Sequence, residues 1–138
     1  MPYHKRSAVI ILNDHKILLM HRHKNGSEYF VIPGGTLESG EDPRETAIRE
    51  IKEETNLDIV LDKLLFEIED EHHHGYYFLA KSFSGQMRLG GPELARQATG
   101  NLYDLQWIKL KDLKNILLYP ESIKEKISSV DLIKQGKL

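Results

Sequence analysis

Residues 35–57 run GTLESGEDPRETAIREIKEETNL, and a helix is signalled from their middle onward. Asp42 suits the N-cap, Pro43 the first helical position, and Glu45 can close a capping box with Asp42. The helix should reach about Glu54 or Thr55. Asn56 then fits a left-handed C-terminal position. On this helix Glu50, Glu53 and Glu54 stand at i, i+3 and i+4, within an arc roughly 100° wide. Ala47, Ile48 and Ile51 give an apolar stripe centred roughly 110° away. The helix can therefore bury one side and present acids along its edge.

Three carboxylates this close repel one another by a few tenths of a kcal/mol per pair. A hard divalent cation reverses that sign, since Mg²⁺ and Mn²⁺ take oxygen ligands and commonly combine carboxylates with substrate phosphates. Taken alone, an EIKEE run is more often a solvated helix face. Its surroundings shift the balance. Pro33-Gly34-Gly35 forms a Cβ-poor loop ahead of the helix, which lets backbone approach a ligand closely. Arg49 lies one turn before Glu53, where it can orient a carboxylate acting as a base.

Outward from this stretch, residues 8–12 (AVIIL) form a continuous apolar run rich in β-branched side chains, as in a strand buried on both faces. Residues 13–15 supply turn chemistry, residues 16–22 resume as a strand, and Asn25-Gly26 breaks the chain again. Residues 29–32, 63–69, 76–83 and 103–108 read as further strands, and residues 86–100 as an irregular loop. Residues 111–116 suit a helical turn and residues 120–128 a second helix, with Ile123 and Ile127 one turn apart. Strands outnumber helices without strict βαβ alternation, which favours an α+β arrangement with a mixed sheet and helices on its faces.

The 138 residues imply one domain, spanning 1–138. A formal net charge of −2, with scattered lysines and arginines, leaves no footprint for duplex nucleic acid or an anionic membrane. The absence of cysteine excludes disulfides, thiolate zinc sites and a Cys nucleophile. The basic-then-apolar start is too short for a signal peptide, and no run approaches a membrane span. The expected location is cytoplasmic.

The stretch resembles the Nudix hydrolase family, MutT-like members included, whose pattern is G-x5-E-x7-R-E-U-x-E-E-x-G-U with U a bulky aliphatic. Gly35, Glu41, Arg49, Glu50, Ile51, Glu53, Glu54 and Leu57 match. The one departure is Asn56 in place of glycine, which touches helix termination rather than a ligand. The resemblance implies the Nudix α/β/α sandwich with a central mixed sheet. It implies that Glu50, Glu53 and Glu54 hold Mg²⁺ or Mn²⁺, with the Gly35 carbonyl or Glu38 completing the shell. Arg49 would position a glutamate, and Glu41 would hold the loop against the helix. The reaction would be attack of water on a phosphorus of a diphosphate linkage in a small nucleotide-like substrate.

Either Glu53 or Glu93, the latter in the loop of residues 90–97, can be the base that activates water; a plain surface position is the alternative for Glu93. Arg22, at a strand end, resembles the basic residue that such proteins place near substrate phosphate, against the alternative of a surface charge. Gly34 and Gly35 would line the approach of substrate. A homodimer is compatible with the resemblance alone. A nucleoside triphosphate or another nucleoside-diphosphate derivative is the broad substrate class. The rivals are a nucleotide-sensing module without turnover and an RNA 5′-end pyrophosphohydrolase. His72-His73-His74 reads as a solvated turn rather than a metal site, and Tyr76, Tyr77 and Trp107 as core rather than base-stacking platforms.

Overall fold

The computed structural model describes residues 4–90, 101–130 and 132. Among the described residues, nine strands and two helices follow in the order β1 (His4–Ile10), β2 (Leu12–Asn13), β3 (Lys16–Lys24), β4 (Ser27–Val31), β5 (Gly34–Thr36), α1 (Pro43–Thr55), β6 (Asp58–Glu69), β7 (His73–Ser84), β8 (Asn101–Lys109), a 3₁₀ turn (Leu110–Asn115), β9 (Leu118–Tyr119) and α2 (Ile123–Ser129).

The strands form two sheets rather than one. The first is mixed, in the order β5-β1-β7-β6, with β1 and β7 parallel and the other pairs antiparallel. In the second, β3 pairs antiparallel with β2, β4 and β8, and β4 pairs parallel with β9. The chain passes between them near Ile11, whose carbonyl accepts from Leu18 N at 3.0 Å. Two tight turns make this possible. Asp14-His15 and Asn25-Gly26 all have positive φ, the twist-matched geometry of a two-residue hairpin.

The apolar run at residues 8–12 behaves as its composition predicts. Ala8, Ile10 and Leu12 enter one core cluster while Val9 and Ile11 enter another, the alternation of a strand covered on both faces. β3 and β7 divide in the same way: Ile17, Leu19, Tyr77 and Leu79 on one side, Leu18, Phe78 and Ala80 on the other. α1 closes one core with Ala47 and Ile51; α2 closes the other with Ile123 and Ile127. This is an α+β sandwich with helices outside and sheet within.

α1 begins and ends as its sequence signals. Asp42 accepts from Glu45 N at 2.9 Å, and Glu45 Oε1 accepts from Asp42 N at 3.0 Å. Asn56 adopts φ 65°. The rotation of the helix differs from expectation. Ile48 is 46% exposed, while Thr46, Glu54 and Thr55 are buried beside Ala47 and Ile51. The buried face is turned toward the acids, so Glu54 lies under the helix instead of along its rim. The glycine segment also differs: Gly34–Thr36 is a strand, pairing Gly35 with Ser7 and Gly34 with Ala8. A Cβ on Gly34 would collide with the Ser7 and Ala8 backbone; only glycine permits that approach. The second helix starts at Ile123, three residues later than its sequence suggests. Among the described residues no helix is long and apolar enough to cross a membrane.

Ile51→Ala should lower the unfolding free energy by about 2–5 kcal/mol, whereas Ile48→Ala should change it by less than about 0.5 kcal/mol. Urea unfolding of the two variants measures both, and equal losses would contradict the helix rotation.

Candidate metal and phosphate site

The acids converge on Arg49. Its Nε and Nη2 grip the Glu41 carboxylate at 2.5 and 2.9 Å, the bidentate geometry that suits a guanidinium. Nη1 donates to Glu50 at 2.9 Å and to both Glu53 oxygens at 3.2 and 3.3 Å. Nη2 also donates to the Thr36 carbonyl at 3.1 Å, and Glu38 lies 3.6 Å from Nη1. A single cation thus ties the helix to β5 and to the segment between them. Glu41 completes the tie by accepting from Glu38 N and Thr46 Oγ1, each at 2.8 Å.

These contacts move the acid–base equilibria. The Arg49 hydrogen bond is the largest cause holding the Glu41 carboxyl at about 2, down from 4.5, with the Glu38 amide next. The pKa of Arg49 is raised in turn, first by Glu41 and then by Glu50 and Glu53.

Gly35 stands against Glu50: a Cβ at that position would occupy the space of the Glu50 carboxylate. The result is a cradle of backbone and carboxylate oxygens, with Glu53 half-exposed above it and Glu54 buried. All of these donors are hard oxygens, the set that Mg²⁺ or Mn²⁺ accepts. Among the described residues no three acidic or histidine side chains already converge at ligating geometry; Arg49 holds Glu50 and Glu53 in that space instead. Glu38 is exposed and approaches the same Arg49 Nη1 that holds Glu50 and Glu53.

The C-terminal end of α1 is closed by the chain that leaves β7. Arg88 N donates to the Thr55 carbonyl and Gly90 N to the Glu54 carbonyl, each at 2.9 Å, and Asn56 Nδ2 donates to the Gln86 carbonyl at 2.8 Å. Residues 86–90 are irregular, as their composition implies. Glu93 lies outside the described residues.

Arg22 is part of the same region. It stands on β3 opposite Tyr29 of β4 and Tyr103 of β8. Its guanidinium lies 4.3 Å from the Tyr103 ring centre and 5.5 Å from that of Tyr29. Nη2 donates to the Tyr103 hydroxyl at 2.7 Å. Arg22, Glu54 and Gly34 wall a cavity of about 150 Å³ together with Tyr29, Tyr103 and Arg6. Sequence reading missed Tyr29 and Tyr103 because only strand register brings them to Arg22, and Arg6 because it comes from the other sheet. Alternation places them on a face but does not name the neighbouring strand.

The remaining sequence candidates separate from this site. His73 bonds Asp70 and His74 bonds Glu67, so adjacent histidines take different partners. Tyr77 is buried and stacked on Phe66, and Trp107 packs on Phe83.

A glutamate-bearing helix packed on one core of an α+β sandwich, beside a Gly-Gly strand, is the frame of a Nudix-type hydrolase. The chain belongs to the Nudix family: the NUDIX domain model matches residues 2–128. It is similar to the Nudix hydrolase YvcI of Bacillus subtilis strain 168, at 32% identity over 130 residues, covering 87% of this chain and 75% of that protein. It is also similar to an ADP-ribose pyrophosphatase of Methanocaldococcus jannaschii, at 36% identity over 88 residues. That match covers 59% of this chain and only 52% of the relative. The solved MutT NUDIX hydrolase of Burkholderia pseudomallei superposes with a TM-score of 0.74 at 24% identity, covering 95% of this chain and all of that one.

The Glu41–Arg49 pair makes stability depend on acid. Because the folded carboxyl titrates below its unfolded value, the pair stabilises the fold fully above about pH 4.5 and loses that contribution as pH falls toward about 2. In EDTA, the melting temperature of Glu41→Gln should start lower at pH 7 and fall less steeply than wild type across that window. Parallel curves would remove Glu41 from the account.

Proposed function

We propose that this chain is a Mg²⁺- or Mn²⁺-dependent pyrophosphohydrolase that cleaves a phosphoanhydride bond in a nucleoside triphosphate or another nucleoside-diphosphate derivative. The observation that carries this reading is the adjacency of two groups of opposite sign. The Glu50, Glu53 and Glu54 face meets Gly35 on one side, and through Glu54 it reaches the cavity walled by Arg22. Acids alone suit a cation and an arginine alone suits an anion; side by side they suit a metal-bound phosphate.

In this reading Glu50, Glu53 and Glu54 hold the ion, with the Gly35 carbonyl or Glu38 as a further ligand. The bound cation supplies Lewis-acid polarisation of a phosphoryl oxygen and screens phosphate charge. Arg49 positions Glu50 and Glu53. Arg22, clamped between Tyr29 and Tyr103, takes a non-bridging phosphate oxygen without having to be ordered on binding. Gly34 and Gly35 keep the approach to Glu50 and Glu54 free of side chains. Glu53, or Glu93 from the segment beyond Gly90, accepts the proton of the attacking water. Support for the wider class comes from the M. jannaschii relative, a pyrophosphatase by name.

The test is release of phosphate or pyrophosphate from a nucleotide panel that includes triphosphates, ADP-ribose and 5′-labelled RNA, with Mg²⁺, with Mn²⁺ and with EDTA. Metal-dependent turnover of a small nucleotide is expected. Binding across the panel without turnover would make the chain a sensor, and turnover confined to RNA ends would move the substrate class.

Glu54→Gln should lower kcat by about a hundredfold or more with the fold intact; unchanged turnover would refute its place among the ligands. Glu93→Gln separates the two base candidates. A loss of similar size assigns the proton to Glu93, and a small effect leaves it with Glu53.

A further inference from the structure

The 3₁₀ turn and α2 wall a cavity of about 470 Å³, roomier than the space of about 150 Å³ beside Arg22, and the two share no wall residue. Its lining follows from helical periodicity. Side chains three apart eclipse in a 3₁₀ turn. Leu110 and Leu113 therefore form one row along it and Lys111 and Lys114 the next, and both rows line the cavity. Asp112 belongs to the third row and does not wall it. On α2, Lys124, Ile127 and Ser128 line the cavity, at the i, i+3 and i+4 spacing of one helix face. Glu125 and Lys126 fall outside that face.

An aliphatic wall thus lies beside a cationic one. Leu113, Ile127 and Leu132 belong to one hydrophobic core, with Leu110 and Val130 packed against it, so the cavity opens onto core side chains. Lys111 and Lys114 are exposed, and Lys124 Nζ donates to the Ile116 carbonyl, which limits where its charge can sit. No acid walls the cavity among the described residues, in a chain whose formal net charge is −2. Three ammonium groups gathered without a carboxylate repel one another, and an anion reverses that sign. No aromatic ring lines the cavity among the described residues either. It lacks the stacking surface that Tyr29 and Tyr103 give Arg22, so an alkyl chain suits it better than a flat heterocycle.

We propose that this cavity is a second ligand site, which binds a small aliphatic carboxylate with its chain against Leu110, Leu113, Ile127 and Val130 and its head group among Lys111, Lys114 and Lys124. The volume is that of a pocket for one small molecule, short of the length that a peptide helix occupies. Lysine supplies a compact charge without the planar fork by which arginine grips phosphate, which fits a single carboxylate. None of these residues belongs to the acids of α1 or to the Arg22 cavity, so the inference stands independently of the hydrolase reading.

The experiment titrates the full chain by calorimetry with octanoate, below its micelle concentration, and with 1-octanol and octylammonium as neutral and cationic counterparts. Octanoate should saturate one site and bind about tenfold tighter than either counterpart. The Lys111→Gln, Lys114→Gln double variant removes two exposed charges and should weaken octanoate by a similar factor. Ser128→Trp fills the cavity from an exposed position and should abolish binding, with the melting temperature of the free protein little changed. Absence of saturable octanoate binding would overturn the proposal. Equal affinity for octanol would overturn it too, because apolar adsorption alone would then account for binding. Octanoate affinity undiminished in either variant would place the ligand elsewhere. A sedimentation coefficient that rises with protein concentration, and stops doing so in Ser128→Trp, would seat a second copy of the chain there instead.

Discussion

A guanidinium offers five N–H donors in one plane, and the structure around α1 depends on where those of Arg49 point. Glu41, Glu50, Glu53 and the Thr36 carbonyl all accept from it. Without this cation, the carboxylates at positions 38, 41, 50 and 53 would crowd one another with only solvent to screen them. With it, the segment between β5 and α1 is fastened to the helix, and Gly35 is held against Glu50. The carboxylates are therefore held beside the helix by Arg49 itself.

The second constraint is the closeness of β5 to β1. Ser7 Oγ donates to the Pro43 carbonyl at 2.7 Å, so β1 anchors the start of the helix directly. Gly34 lies so near the β1 backbone that no side chain fits there. The helix C-terminus is anchored separately, by amides from residues 88 and 90. The acid-bearing helix is thus fixed to β1 at its start and to the irregular segment after β7 at its end.

The Arg22 side of the site has a different origin. Arg22, Tyr29 and Tyr103 come from three strands of the second sheet, and Arg6 from the first. Their meeting requires the two sheets to pack as they do. Stacking on two tyrosines and a hydrogen bond to one of them keep Arg22 ordered, a contribution that a lysine in its place would not reproduce.

Much of this was legible from residues alone. The capping box at Asp42, the left-handed Asn56 and the two-sided strand at residues 8–12 are local effects, governed by backbone sterics, hydrogen-bond satisfaction and a period of two. The acids at i, i+3 and i+4 carried the chemistry for the same reason: helical spacing is a property of the chain. Tertiary packing decided the rest. It turned α1 so that Ile48 faces solvent and Glu54 does not, because the sheet beneath sets which arc of a helix is covered. It split the strands between two sheets and made a strand of Gly34–Thr36, because only a neighbouring β1 supplies the ladder. It brought Arg6 and Arg22 to one cavity, since register between distant strands follows from the summed packing of both cores and is written in no single stretch of sequence.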